Sequence, residues 1–307
     1  MKKLTIILGL ILTISNIFAD IQNKIEQFES ENAKLFVQPL VNAFGTTMNT
    51  GFYHTAKVLK PFTFGLNVNV MMAFVPNEDK TFIAKRPDIS FLGQNLYEEE
   101  TIETATIFGE DGGRFTSNYP GITDLQMPDG LNIPAVPFAM PQFNLGLPGG
   151  NELLIRGFPK TEIDKDFGEF GFWGVGLKHS IDQYISLFPI DIAIQGIYQN
   201  LYVGDILKST NINANLQVSK KLLMLTGYCG VGIDKTNVSF EYNYTYDDID
   251  EIGTIFQNNK TVEFEIEGEN EVRMTAGIRY SILLLKFYTD YTVSEYNTLN
   301  AGFGISF

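Results

Sequence analysis

Few side chains in this chain could carry chemistry. Its 307 residues include two histidines and one cysteine, with a net charge of −14. His179 stands next to Ser180 and close to Asp182, the residue types of a hydrolytic triad, in which nucleophile, base and orienting group must come into register. Successive side chains of an extended strand point to opposite faces, so His179 and Ser180 diverge. We read the group as structural and expect no enzyme. Neither His54 nor His179 has a partner at metal-ligand spacing, and nothing implies a cofactor. Asp247, Asp248, Asp250 and Glu251 offer oxygen ligands but lack the glycine-punctuated spacing of a calcium loop, so they read as a solvated tip. Glu263, Glu265 and Glu267 form a ladder that would favour cations in a pore or stand in water above a membrane. Arg156, Arg273 and Arg279 would pair with carboxylates across a lumen or meet the carboxylate of a ligand, and structural pairing is the expectation. The acidic balance argues against nucleic-acid binding.

The elements that would hold these groups are strands. The ending alternates without interruption: Leu299, Ala301, Phe303, Ile305 and Phe307 on one face, Thr298, Asn300, Gly302, Gly304 and Ser306 on the other. A tilted strand of about 9–11 residues crosses a bilayer with apolar side chains toward lipid and small or polar ones inward. Lys2 and Lys3, the apolar run from Leu4 to Phe18 and the small residue Ala19 form a secretory signal peptide, residues 1–19. An exported chain with Cys229 as its one thiol has no internal disulfide, and Cys229 should pack as a small apolar residue. The expected fold is all-β, a transmembrane barrel of about 12–14 antiparallel strands over residues 59–307 in the bacterial outer membrane. Outer-membrane lipid, and the barrel assembly machinery reading terminal Phe307, are its expected partners.

Several strands exceed the spanning length. Parity runs unbroken from Val262 to Ile282, so one tall strand from about Lys260 to Ile282 is expected, with the glutamate ladder on its polar face. The hydrophobic parity of the preceding segment switches near Asp234 to Thr236, and we place a bulge there within one tall strand. Phe143 to Leu147 and Glu152 to Phe158 should form a hairpin around Pro148-Gly149-Gly150. Two segments do not fit a wall. Residues 20–58 begin with helical spacing at Ile21, Ile25 and Phe28 and are assigned to a helical or irregular plug in the lumen. Residues 109–140 carry Pro120, Pro128, Pro134 and Pro137, which should preclude a regular strand; this loop would fold inward, cap the mouth or touch the membrane.

These features together resemble the FadL-like long-chain fatty-acid transporter superfamily. Closer still, the chain resembles a family of outer-membrane proteins of Bacteroidetes type with no established activity. The resemblance rests on N-A-F-G-T-T-M-N-T-G-F-Y (Asn42 to Tyr53), M-P-Q-F-N-L-G-L-P (Met140 to Pro148), G-F-W-G-V-G-L-K-H-S-I (Gly171 to Ile181) and the ending Y-N-T-L-N-A-G-F-G-I-S-F. It implies a plugged barrel for passive uptake or export of hydrophobic, fatty-acid-like molecules. The amino-terminal hatch of those transporters carries an Asn-Pro-Ala element; Asn42-Ala43 lacks the proline. Candidate ligand contacts are Phe44, Phe52 and Tyr53 in the plug, Trp173 in the wall, and Arg156, Arg273 and Arg279. The alternative is a non-transporting barrel that anchors or scaffolds a surface or secretion assembly through the apolar end of the Pro-rich loop.

Overall fold

Alternation of apolar with small or polar residues builds seventeen strands among the described residues. In chain order they are β1 (Phe64–Phe74), β2 (Thr81–Lys85), β3 (Ser90–Phe91), β4 (Gln94–Asn95), β5 (Thr101–Ala105), β6 (Arg114–Phe115), β7 (Leu125–Gln126), β8 (Ala135–Leu147), β9 (Asn151–Asp164), β10 (Gly168–Ser180), β11 (Asp191–Val203), β12 (Leu207–Leu222), β13 (Leu225–Ile249), β14 (Ile255–Glu267), β15 (Val272–Ile282), β16 (Leu285–Val293) and β17 (Thr298–Ser306). The 19-residue helix α1 (Ser30–Met48) precedes them. This computed structural model describes residues 24–25, 30–91, 93–164, 168–185, 189–204, 206–249 and 255–307. The signal segment 1–19, and Asp250 and Glu251 of the acidic tip, lie outside the described residues.

Ten strands close the barrel: β1, β8 to β13 and β15 to β17, sealed by the pairings β12–β13 and β1–β17. The number is lower than the twelve to fourteen expected. Strand-like sequence at β2 and β5 pairs into a hairpin of its own, outside the wall. The long connection 75–134 and the tall β13–β14 pair leave one end of the barrel, whereas the tight turns after β8, β12 and β15 lie at the other, so the end carrying Phe307 is periplasmic. Residues 75–134, with three short strand pairs and an isolated bridge between Tyr97 and Ser117 among the described residues, cap the outer end.

The 25-residue strand β13 is as tall as expected, but it contains no bulge. Its register with β12 is unbroken from Leu207↔Phe240 to Leu222↔Leu225, and even-numbered residues face inward from Thr226 to Phe240. The switch in hydrophobic parity marks a change of surroundings. Below Asp234 the odd-numbered Cys229, Val231 and Ile233 point outward to lipid; above Thr236 the even-numbered Val238 and Phe240 point inward to a dry core.

The bulge lies in the neighbouring strand. Asn237 pairs with Glu267 and Ile233 with Val272, so one extra residue sits between β14 and β15, bounded by Gly268 N–H to Thr236 O (2.9 Å) and Asp234 N–H to Glu271 O (2.8 Å). The parity expected to continue from Val262 to Ile282 therefore inverts there. Phe264 and Ile266 face in, and Glu263, Glu265 and Glu267 stand exposed on the outer surface rather than in the lumen.

Prolines did not preclude a strand. β8 contains Pro137 and Pro141 and pairs with β1 in unbroken register from Phe64↔Leu145 to Phe74↔Ala135. A proline persists in a strand where its missing N–H faces an unpaired edge, and the outer half of β8 has such an edge.

Candidate functional site

Helix α1 descends into the barrel from the capped end, and the chain from Asn49 to Pro61 continues through the lumen toward the periplasmic mouth. Pro39 removes one helical hydrogen bond; burial holds the helix instead. Phe36, Val37, Leu40, Val41, Phe44 and Met48 pack against Met71, Phe138, Met140, Phe172, Val238, Phe240 and Phe264 in one apolar core. Burying each large apolar side chain contributes about 1.5–3 kcal/mol. Gly45 is required by close approach: a Cβ there would meet Thr236 Oγ1 at 2.6 Å. Tyr296 lies in the same core, and burial raises its pKa, so it stays neutral.

The lumen at membrane depth is lined by amides. Buried amides are costly without partners, and here they bond to one another and to the plug backbone. Asn215 donates to Asn213 at 2.6 Å, Gln217 to Asn215 at 2.6 Å, and Asn213 to Asp234. Gln142 donates to Phe52 O (2.9 Å), Gln199 to Met48 O (3.0 Å), and the Ala56 N–H to Ser219 Oγ (3.0 Å).

The three arginines face inward, in different company. Arg273 pairs with Asp234 at 3.5 Å, both side chains buried. Arg279 donates to Thr226 Oγ1 at 3.0 Å and lies 3.0 Å from His54 Nδ1. Arg156, 2% exposed, has no carboxylate; it donates to Thr50 O at 3.1 Å, and its Nε and Nη2 have no hydrogen-bond partner among the described residues. The Phe52 ring lies between Arg156 and Arg273, 4.6 and 5.2 Å from its centroid. Structural pairing therefore holds for Arg273 and not for Arg156. Tyr53 packs edge-on against Tyr228 at 6.0 Å. Phe44 meets Phe138 edge-on at 6.1 Å. Trp173 faces outward beside Tyr198, 5.6 Å between ring centroids.

The wall is interrupted between β8 and β9. Their pairing runs only from Leu147↔Asn151 to Gln142↔Arg156. Above that, β9 stays with β10 through two register shifts, while the proline-bearing half of β8 stays with β1. Gly157 is the pivot, with φ +131° and an imagined Cβ only 2.2 Å from Phe172 O. At the break a cleft of about 510 Å³ opens on the lipid-facing side, lined by Val68, Pro141, Ile155, Phe158, Trp173 and Phe303 and reaching Arg156. Inward from it, aromatic rings follow one another: Phe158 to Phe172 at 6.2 Å, Phe172 to Phe138 at 6.3 Å, Phe138 to Phe44 at 6.1 Å. The sequence reading missed Pro141, Gly157 and Phe158. Its available signal was Gly157-Phe158-Pro159 closing an otherwise regular strand two residues after Ile155.

The histidine group differs from a triad. Ser180 Oγ donates to Asp182 at 2.8 Å, while His179 contacts Asn151 (2.8 Å) and Tyr184 OH (3.2 Å). Among the described residues no cluster of three His, Cys, Asp or Glu could hold a metal ion. Cys229 is exposed on the outer face of β13, rather than packed.

A closed antiparallel barrel with an apolar outer belt, a polar interior at membrane depth and short turns at one end is a bacterial outer-membrane β-barrel. The chain belongs to a family of unknown function, DUF6588, matched over residues 1–307. No curated protein matches it. Among solved structures it is similar to the attachment invasion locus protein Ail of Yersinia pestis (9% identity, 80% of this chain and 99% of that one, TM-score 0.26). It is also similar to the β domain of the Bordetella autotransporter BrkA (10%, 80% and 100%, 0.29) and to a mutant of TodX, a monoaromatic hydrocarbon channel (11%, 90% and 70%, 0.27). Superpositions this loose carry no argument, and the class rests on the barrel's own geometry.

Proposed function

We propose that this barrel passes hydrophobic small molecules across the outer membrane passively, in uptake or export, and that the break between β8 and β9 is their door to the lipid phase. The observation that carries this reading is the cleft at the break, continued inward to the plug by the ring series Phe158, Phe172, Phe138 and Phe44. An apolar molecule can leave lipid there without meeting water, whereas the axial route is filled by plug backbone and amides. Arg156 lies at the foot of the cleft with two unbonded nitrogens, which suits a ligand with an apolar body and one acidic group, the fatty-acid-like class. Trp173 would flank the entrance, and Phe44 would receive the ligand at the plug. The scaffold alternative called for an exposed apolar patch over residues 131–140. Those residues turn their apolar side chains inward instead, with Val136, Phe138 and Met140 buried and Leu131 and Ile133 packed on the core.

The test is mass spectrometry of small molecules retained after mild detergent extraction, with uptake of a fluorescent fatty acid by proteoliposomes alongside. Ile155→Trp fills the cleft from outside and leaves the plug untouched. Retention and uptake should both fall in that variant while heat-modifiable migration still reports a closed barrel. A wild-type barrel that retains nothing, or uptake indifferent to Ile155→Trp, would sink the proposal.

A further inference from the structure

Two adjacent periplasmic turns break the usual chemistry of tight hairpins. Such turns favour Asn, Asp or Gly where φ is positive, as the β8–β9 turn does with Gly149 (φ +74°) and Gly150 (φ +70°). The β12–β13 turn instead places Leu223 at φ +58° and the β15–β16 turn Leu283 at φ +52°. Leucine is strained there, and these two side chains are 87% and 93% exposed. Leu222, Met224, Leu225, Ile282, Leu284 and Leu285 around them are exposed too. The turns adjoin: Leu225 pairs with Tyr280, and the Ser281 N–H donates to Met224 O at 2.8 Å. The result is one apolar patch flanked by Lys220 and Lys221, while Lys286 turns toward the lumenal mouth and its Nζ donates to Leu283 O at 2.9 Å, bracing the turn from inside.

We propose that this patch is immersed in the periplasmic leaflet of the outer membrane and that Lys220 and Lys221 beside it meet anionic phospholipid head groups. Three observations name lipid as the occupant. First, the patch continues the lipid-facing belt without interruption, through Val231 and Ile233 on β13 and Met274, Ile278 and Tyr280 on β15. Second, the belt's height reaches it. The exposed charges Lys235 and Glu271 mark the upper border, and an apolar band about 25 Å tall takes roughly ten tilted strand residues. Ten residues down from Ile233 is Leu223, and ten down from Val272 is Ile282. Third, lysines beside buried apolar tips complement phosphate while their stems stay in the apolar layer, in a chain otherwise strongly acidic.

The test is spin-label accessibility in vesicles of phosphatidylethanolamine and phosphatidylglycerol. On a Cys229→Ser background, labels are placed at Leu223→Cys and Leu283→Cys, with Met224→Cys and Leu284→Cys as independent neighbours should either turn fold poorly. Ile278→Cys serves as the lipid reference and Glu265→Cys as the water reference. The ratio of oxygen to nickel-chelate collision at the tips should rise several-fold above that at position 265, toward the value at 278. A ratio equal to that at 265 overturns the proposal and leaves the patch to a protein partner. Combining Lys220→Gln and Lys221→Gln, or using phosphatidylcholine alone, should raise nickel access at both tips; unchanged access in both cases would remove the lysines from the proposal.

Discussion

The two halves of this barrel are built by opposite rules on the same strands. Below the level of Asp234 the wall is apolar outside and amide-lined inside; above Thr236 it is charged outside and apolar inside. β13 passes from one regime to the other without a break in register. A strand's geometry thus fixes which residues share a face, and the solvent on each side decides which face must be apolar. The outer half is an ordinary protein core wrapped around α1, and the inner half is a membrane barrel whose core is its own lipid surroundings.

The largest expected effect breaks the outer half alone. Phe36→Ala empties a fully buried site and should cost about 3–5 kcal/mol, read by proteolysis as exposure of α1 and the cap while the membrane belt stays protected. Equal loss of protection in both halves would refute two separately built cores. Next, a charge placed on the outer face should matter only below the boundary. Ile278→Lys should cost about 2–4 kcal/mol near the bilayer midplane, whereas Glu265→Lys, on the outer surface above, should stay within about 0.5 kcal/mol in urea titrations of the refolded barrel in vesicles. The smallest effect sharpens the boundary itself. Gly45→Ala drives a methyl group into Thr236 and should destabilise by about 1–3 kcal/mol, with partial recovery in the double variant Gly45→Ala, Thr236→Ala, which removes the Oγ1 and Cγ2 atoms that the new methyl would meet. Failure of that recovery would place the obstruction elsewhere.

The membrane half was the more legible in sequence. Alternation in β1, β12, β15 and β17 corresponds residue for residue to outward and inward faces, because lipid demands strict alternation. The outer half was misread where a local pattern had two physical causes. An inverted hydrophobic parity at Asp234 is equally the trace of a bulge and of a change of solvent; only pairing distinguishes them, and the bulge proved to be at Glu269 and Asn270, where no parity change was visible. Asn270 has a reason to turn inward: its side chain donates to Asn42 O at 3.1 Å and accepts from the Tyr296 N–H at 3.0 Å, and neither partner is near it in sequence. Pro137 argues locally against a strand, although a proline is tolerated along an edge, and nothing local announces that β9 leaves β8 there. Among the candidate ligand residues, sequence identified three inward-facing arginines without distinguishing the unpaired Arg156 from the ion-paired Arg273.

The seam between β1 and β17 dictates an order of events during assembly. Strands at the two ends of the fold, separated by more than 200 positions, must meet before the wall is complete, and β1 follows directly on the segment that fills the lumen. A 19-residue helix surrounded by packed side chains cannot be threaded through a ring already shut. The plug must therefore be seated while the seam is still open, so the joining of β17 to β1 acts as the latch that traps α1.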